Sequence, residues 1–376
     1  MKILACLRGR PGLGHVTPGL VLLDYMKKNI AGCEILICSY DNGISFLKET
    51  DYKVVDLNIN PSYECWAGLN VIDDLLLKVQ PVIQDFGPDF ILSSGEYLLP
   101  VIQPFTNARM GLIYNPEVLM AKAHNRPYKD LFCELFSRCE VLIANGYPLQ
   151  QHDIWEEAQQ VYERSVKTLL VRSPRLPVRQ SVKKTFLVGN GGGVSLPANT
   201  STYSNSADLV QIWKKQNVEF LQHTLSIIKE ECEGEEIEVH AFLCVDQPDY
   251  LRISDQFRED KRFLFYAFSP LYIDILAIAN LVVTRAGVSS IMEIEHYNKQ
   301  AIIWPLYQHA EQIKTVEEVA GRNTNIGAWY EAAAFKTLFR EKMTKIAAAG
   351  TLVRQQATDD DFSFKTIVDK LIKTKI

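Results

Sequence analysis

Short apolar runs alternate with stretches of helical period along nearly the whole chain, and that rhythm restricts the fold more than any other feature. Residues 3–7 are followed by a helical pattern at 19–28 and a second apolar run at 35–38. The pair recurs at 90–92 and 98–105, and 113–114 and 141–144 extend the series. Strands of a parallel sheet are buried on both faces and read as continuous apolar segments, and each return to the same end of the sheet needs a crossover helix. The pattern predicts an α/β chain built on parallel sheets.

The rhythm breaks once, at VRSPRLPVRQSVKK (171–184), where prolines and cations replace periodicity. It restarts with TFLVGNGGG and repeats at 237–243, 263–266, 281–284 and 301–304. A length of 376 residues suits two cores rather than one. We expect an N-terminal Rossmann-like domain at 1–172, a linker at 173–184, a second Rossmann-like domain at 185–355, and a final helix within 356–376 that packs back on the first domain. Two such halves are expected to face each other across a cleft lined by strand ends.

Forty basic against forty-five acidic residues leave a net charge of -5, which gives no field for a nucleic-acid partner. Any anion must be held locally. Eight cysteines without a CxxC pair suit a reduced, cytoplasmic setting, and too few apolar residues follow Lys2 for a secretion signal. YECWAGLNVIDDLLL (63–77) is apolar enough for a membrane contact, but buried helix packing is the commoner use of such a stretch. No membrane partner is claimed.

The first apolar run leads into RPGLGHVTPGL, in which Gly12 and Gly14 precede His15 and Thr17-Pro18 opens a helix. His15 therefore stands before a helix start at the carboxyl end of the first strand, where open α/β sheets place ligands. A neutral imidazole there suits a general base, and glycines allow close approach of a substrate. A structural loop histidine with turn glycines is the plainer alternative. The dinucleotide fingerprint is excluded because its third glycine falls on Thr17.

The segment LVVTRAGVSSIMEIEHYNKQAIIWPLYQHAEQ (281–312) carries more chemistry. A strand runs into Arg285-Ala286-Gly287, and a helix begins near Val288, so exposed amides are positioned to hold a phosphate. Ser289 and Glu293 share one helix face, and Glu293 is placed to accept hydrogen bonds from a ribose. His309, Glu311 and Gln312 follow the next strand and suit sugar hydroxyls. An ordinary surface helix and a solvated loop are the plainer alternatives for these two groups.

These motifs, with the glycine turn at Gly189, Gly191, Gly192 and Gly193, resemble the GT-B fold glycosyltransferases, in particular the branch containing the lipid-stage peptidoglycan N-acetylglucosaminyltransferase. The resemblance implies inverting transfer of a sugar from a nucleotide-sugar donor, a UDP-sugar by preference, to a small-molecule or glycan hydroxyl acceptor. It implies that His15 is the base, that Gly287, Val288 and Ser289 line the diphosphate, and that Glu293 holds the ribose. Gln312 with Glu311 would meet the sugar, and backbone near Phe268 the nucleobase; Gly14, Gly191, Gly192, Arg285 and His309 complete the donor set. The acceptor loops differ: RGRPGLGH and SSGEY replace fuller glycine loops, and Glu96 in the second is an extra acid suited to orient an acceptor or to act as a second catalytic base, with a plain strand-end loop residue as the alternative.

No cofactor and no metal are expected. Asp359-Asp360-Asp361 contains a DxD string but sits in a polar turn, and Glu230 and Glu238, spaced as in retaining relatives, flank a charged turn. Two other functions suit the same scaffold: a nucleotide-sugar 2-epimerase, drawing on Glu96, Glu117 and Glu311, and a noncatalytic sugar-nucleotide-binding partner subunit.

Overall fold

The computed structural model of the chain describes residues 1–9, 13–59, 70–120, 129–172, 174, 183–190, 206–267, 269, 271–306, 309–349 and 361–373. They form two compact units, Met1–Val171 with Ala357–Ile376, and Arg172–Gln356.

The first unit holds seven parallel strands: β1 (Lys2–Leu7), β2 (Glu34–Ser39), β3 (Lys53–Asp56), β4 (Phe90–Ser94), β5 (Arg109–Tyr114), β6 (Val141–Asn145) and β7 (Val166–Thr168), in the order β3-β2-β1-β4-β5-β6-β7. Alternate residues of the central strands enter different cores. Leu4, Cys6, Ile91 and Leu112 pack on one face; Ile3, Ala5, Leu7, Leu92 and Ile113 pack on the other. This two-sided burial is why the strands read as unbroken apolar runs.

The Val16–Asn29 helix covers the second face and packs closely at Gly19, where a Cβ would stand 2.4 Å from Leu7 Cδ2. The Asp361–Lys373 helix lies on the same face, with Phe364, Ile367 and Val368 buried and the Phe364 ring stacked 5.0 Å from Tyr25.

The second unit repeats the plan with six parallel strands: β8 (Lys184–Gly189), β9 (Ile237–Phe242), β10 (Phe263–Tyr266), β11 (Leu281–Arg285), β12 (Gln300–Trp304) and β13 (Ile326–Ala328), ordered β10-β9-β8-β11-β12-β13. In both units the chain direction across the sheet reverses between neighbouring strands, β1 with β4 and β8 with β11. Crossover helices leave such a switch point on opposite faces, which opens a crevice beyond the strand ends.

Three local expectations are corrected. The first helix begins at Val16 rather than after Thr17, because Thr17 N–H already donates to Leu13 O at 3.0 Å; His15 takes the cap position without a capping bond. Residues 98–105 form a 3-10 helix, Leu99–Phe105, because Pro100 and Pro104 lack the N–H groups an α-helix needs. Strands β3, β7 and β13 are short edge or near-edge segments without a long apolar run, so periodicity does not reveal them. Among the described residues no helix is long and apolar enough to cross a membrane, and the seven described cysteines form no disulfide with one another.

Candidate functional site

At the first switch point, the ends of β1 and β4 bring His15 against Gly95 and Tyr97. Leu7 and Ser94 are paired in register, and Ser94 Oγ donates to the His15 carbonyl at 2.7 Å, which fixes the turn to the strand end. Gly95 has φ +83°, and a Cβ on it would stand 2.4 Å from His15 Cγ. Only glycine both adopts that backbone and leaves room for the ring. Tyr97 meets the ring edge-on, with centroids 5.8 Å apart at 88°.

His15 is half-buried, and desolvation followed by the Arg8 charge pulls its imidazole down to about 3. The ring is uncharged at neutral pH, and burial more than Arg8 weakens it as a base; an anionic group beside Arg8 would offset only the smaller of the two effects. Glu96 is buried, and its Oε1 accepts from Tyr40 Oη at 2.5 Å, while Ser93 Oγ donates to its carbonyl at 2.7 Å. Glu96 and Tyr40 thus form one buried pair, next in sequence to the Gly95 turn that holds the His15 ring. Gly14 is exposed in the turn before His15.

In the second unit, β11 ends at Arg285, and Ala286 N–H donates to Trp304 O at 2.8 Å, tying the turn to β12. Gly287 caps the Val288–His296 helix with φ -88° and no side-chain cap, so the helix's first amides are not consumed by a capping side chain. A Cβ at Gly287 would meet nothing nearer than Ser290 Oγ at 3.7 Å. Free amides at a helix start with open space above them suit an anion. Val288 and Ser289 are half-buried in that first turn.

Glu293 is 6% exposed, and burial raises its carboxyl to about 7 against the opposing pull of Arg172. Tyr297 Oη donates to Arg172 O at 2.5 Å, so the same helix grips the chain where the second unit begins. The buried Tyr272 hydroxyl is pushed up, first by desolvation and then by the Glu293 charge. Arg285 is lowered to about 10 by burial, and His309 to about 4 by burial and then by Arg285.

His309 caps the Ala310–Arg322 helix, its Nδ1 accepting from Gln312 N–H at 3.4 Å, which leaves Nε2 to carry the ring proton when neutral. Gln312 Oε1 accepts Leu306 N–H at 3.0 Å. Both side chains therefore brace the loop as well as facing it.

Phe268, Gly191 and Gly192 lie outside the described residues, as do Asp359 and Asp360, and the side chains of Glu117 and Glu311 are likewise not described. Glu230 pairs with Lys336 at 2.6 Å and Glu238 with His240 at 3.2 Å. Among the described residues no group of three or more histidine, cysteine, aspartate or glutamate side chains is placed to hold a metal.

Sequence reasoning misses four residues here. Gly9 is required because a Cβ would stand 1.8 Å from Tyr40 O, and its position between two arginines at a strand end is the only sequence signal. Gly95 and Tyr40 act through partners far away in the chain. Asn190 directly follows β8 at the second switch point, fully buried, and neither amide atom has a hydrogen-bond partner among the described residues. Its place directly before the glycine run is the signal that could have found it.

Residues 215–370 match the glycosyltransferase family 28 C-terminal domain, a span that includes the Gly287 turn, Glu293 and the helix start at His309–Gln312, where the sequence pattern predicts a loop. The chain has the GT-B fold and resembles the glycosyltransferases built on it. MurG of Acinetobacter baumannii superimposes with TM-score 0.51 at 14% identity, covering all of both chains. Arabidopsis thaliana UGT89C1, complexed with UDP, gives TM-score 0.57 at 13% identity over 99% of this chain and 100% of that one. The UDP-GlcNAc 2-epimerase of Neisseria meningitidis, bound to UDP-GlcNAc, gives 0.54 at 12% identity over 99% and 100%. A search of curated protein sequences finds no significant match.

Proposed function

We propose that the chain is an inverting, metal-independent glycosyltransferase that moves a sugar from a nucleoside-diphosphate donor, UDP-linked by preference, to a hydroxyl acceptor on a small molecule or glycan. The observation that carries this reading is the glycosyltransferase domain match over 215–370, within which the Gly287 turn, Glu293 and the helix start at His309–Gln312 all follow strand ends of one sheet. The cytoplasm is the proposed setting, which suits described cysteines that form no disulfide with one another.

In this reading the donor diphosphate rests on the amides of Gly287, Val288 and Ser289, with Arg285 behind them. As the glycosidic bond breaks, charge gathers on the diphosphate, and preorganised amides at a helix start stabilise it. The ribose hydroxyls donate to the Glu293 carboxylate, whose desolvation makes it a strong acceptor once ionised. His309, Glu311 and Gln312 meet the sugar, and the base lies near Phe268, with Gly191 and Gly192 close to the phosphates. His15 takes the acceptor proton, and Glu96, anchored by Tyr40, orients the acceptor.

Calorimetric titration of the protein with UDP, dTDP, GDP, ADP and CDP, with and without magnesium, tests the donor half. UDP is expected to bind without regard to magnesium and to bind more weakly to Glu293→Ala. Silence toward all five would remove the reading. Conversion of a UDP-sugar to its C2 epimer without acceptor would replace transfer with epimerisation.

A further inference from the structure

The second unit contains a concavity that the donor reading does not use. It is a pocket of about 800 Å³, a size that suits a small organic ligand. Phe220 and His223 of the Ser206–Glu231 helix form one wall; Trp304 and Leu306 at the end of β12, and Trp329 and Tyr330 beyond β13, form the others.

The walls are aromatic faces. Trp304 stacks on Phe220 with centroids 4.4 Å apart at 28°, Trp329 lies 5.2 Å from Phe220, and His223 stacks on Trp329 at 5.7 Å and 24°. Tyr330 is 55% exposed, an unusual setting for a large ring. Among the described residues no lysine or arginine lines the pocket, and Glu219 adds a carboxylate to it, so a phosphate-bearing ligand is disfavoured.

The two tryptophans differ in what their N–H groups do. Trp329 Nε1 donates to Glu331 O. Trp304 Nε1 is buried without a hydrogen-bond partner among the described residues, in a side chain only 7% exposed. A buried orphan donor is unfavourable, and an acceptor atom arriving with a ligand relieves it.

We propose that this pocket binds an uncharged planar ring molecule carrying a hydrogen-bond acceptor, its ring against the aromatic walls and its acceptor on the Trp304 indole N–H. The site is chemically distinct from the anion site yet shares its frame. The Trp304 carbonyl holds Ala286 N–H in the Gly287 turn, and Leu306 N–H is held by Gln312. Ligand binding here is read directly and does not depend on sugar transfer.

The test is calorimetric titration of the full chain with coumarin, which is neutral, planar and carries a lactone carbonyl. Saturable binding is expected, weakened about fivefold in Trp304→Phe, which keeps a ring and removes the N–H. Tyr330→Ala, at the exposed lip where folding is not at stake, should also weaken it. UDP should not compete. Absence of saturable binding, or equal affinity in both variants, would overturn the proposal. Competitive displacement by UDP would also overturn it and assign the pocket to the donor nucleotide.

Discussion

Gly95 and His15 occupy each other's space: the position a Cβ would take on Gly95 is 2.4 Å from His15 Cγ and 2.9 Å from Arg8 Cβ. The imidazole is therefore held by a backbone that only glycine supplies. Gly95→Ala should lose stability through both a left-handed backbone and a steric clash, about 2–4 kcal/mol. Gly87→Ala provides the control, since Gly87 has φ +60° but nothing within 4 Å, and should lose only about 1 kcal/mol. Urea unfolding of the two variants measures the difference, and equal losses would contradict the packing argument.

Glu293→Gln should remove a pH trend in stability. The folded carboxyl ionises near 7 and the unfolded one near its ordinary 4.5, so between those values the native state holds a proton that the unfolded chain has released. Stability from this group is complete below 4.5 and falls as pH rises to 7. The neutral variant should match the parent near pH 4 and exceed it at pH 8 by about 3 kcal/mol. Denaturant midpoints at the two values check this; a gap independent of pH would refute it.

Gly287→Ala should leave the fold intact and weaken nucleoside diphosphate binding. Its φ of -88° suits alanine, and the nearest atom to the new methyl is 3.7 Å away. The methyl would instead occupy the space above the helix amides. An unchanged melting temperature with at least tenfold weaker UDP binding is the expected pair of results.

His15→Ala should lower turnover by about 10²–10⁴ while leaving UDP affinity nearly unchanged. Steady-state rates and calorimetry on the same preparation separate the two effects. Turnover equal to the parent would remove His15 as the base.

Phe364→Ala should destabilise the first unit by about 3–4 kcal/mol, because the ring is 8% exposed and stacked on Tyr25. Thermal unfolding followed by circular dichroism reports the loss.

The parallel α/β plan is legible because two-sided burial writes itself as unbroken apolar runs, as at Ile3 to Leu7 and Leu281 to Thr284. The edge strands are not: Lys53–Asp56 carries only Val54 and Val55 between charged ends. His15, Gly287 and Glu293 stand out because their meaning is local, set by a strand end and a helix start. Tyr40 beneath Glu96 and Gly95 beneath His15 are illegible, since each depends on which strand the sheet places beside another. The orphan indole of Trp304 is hidden for the same reason: the sequence shows a strand end, and only packing reveals that its N–H is left over.

Gln312 has already committed one of the two lone pairs of its amide oxygen. That oxygen accepts the Leu306 N–H at 3.0 Å, which leaves the other lone pair and both N–H donors open to a further partner. Under the proposed donor reading, a sugar hydroxyl can meet this amide as donor or as acceptor. An ether oxygen keeps only the acceptor role and addresses the NH₂ group alone, while a deoxy position addresses neither half.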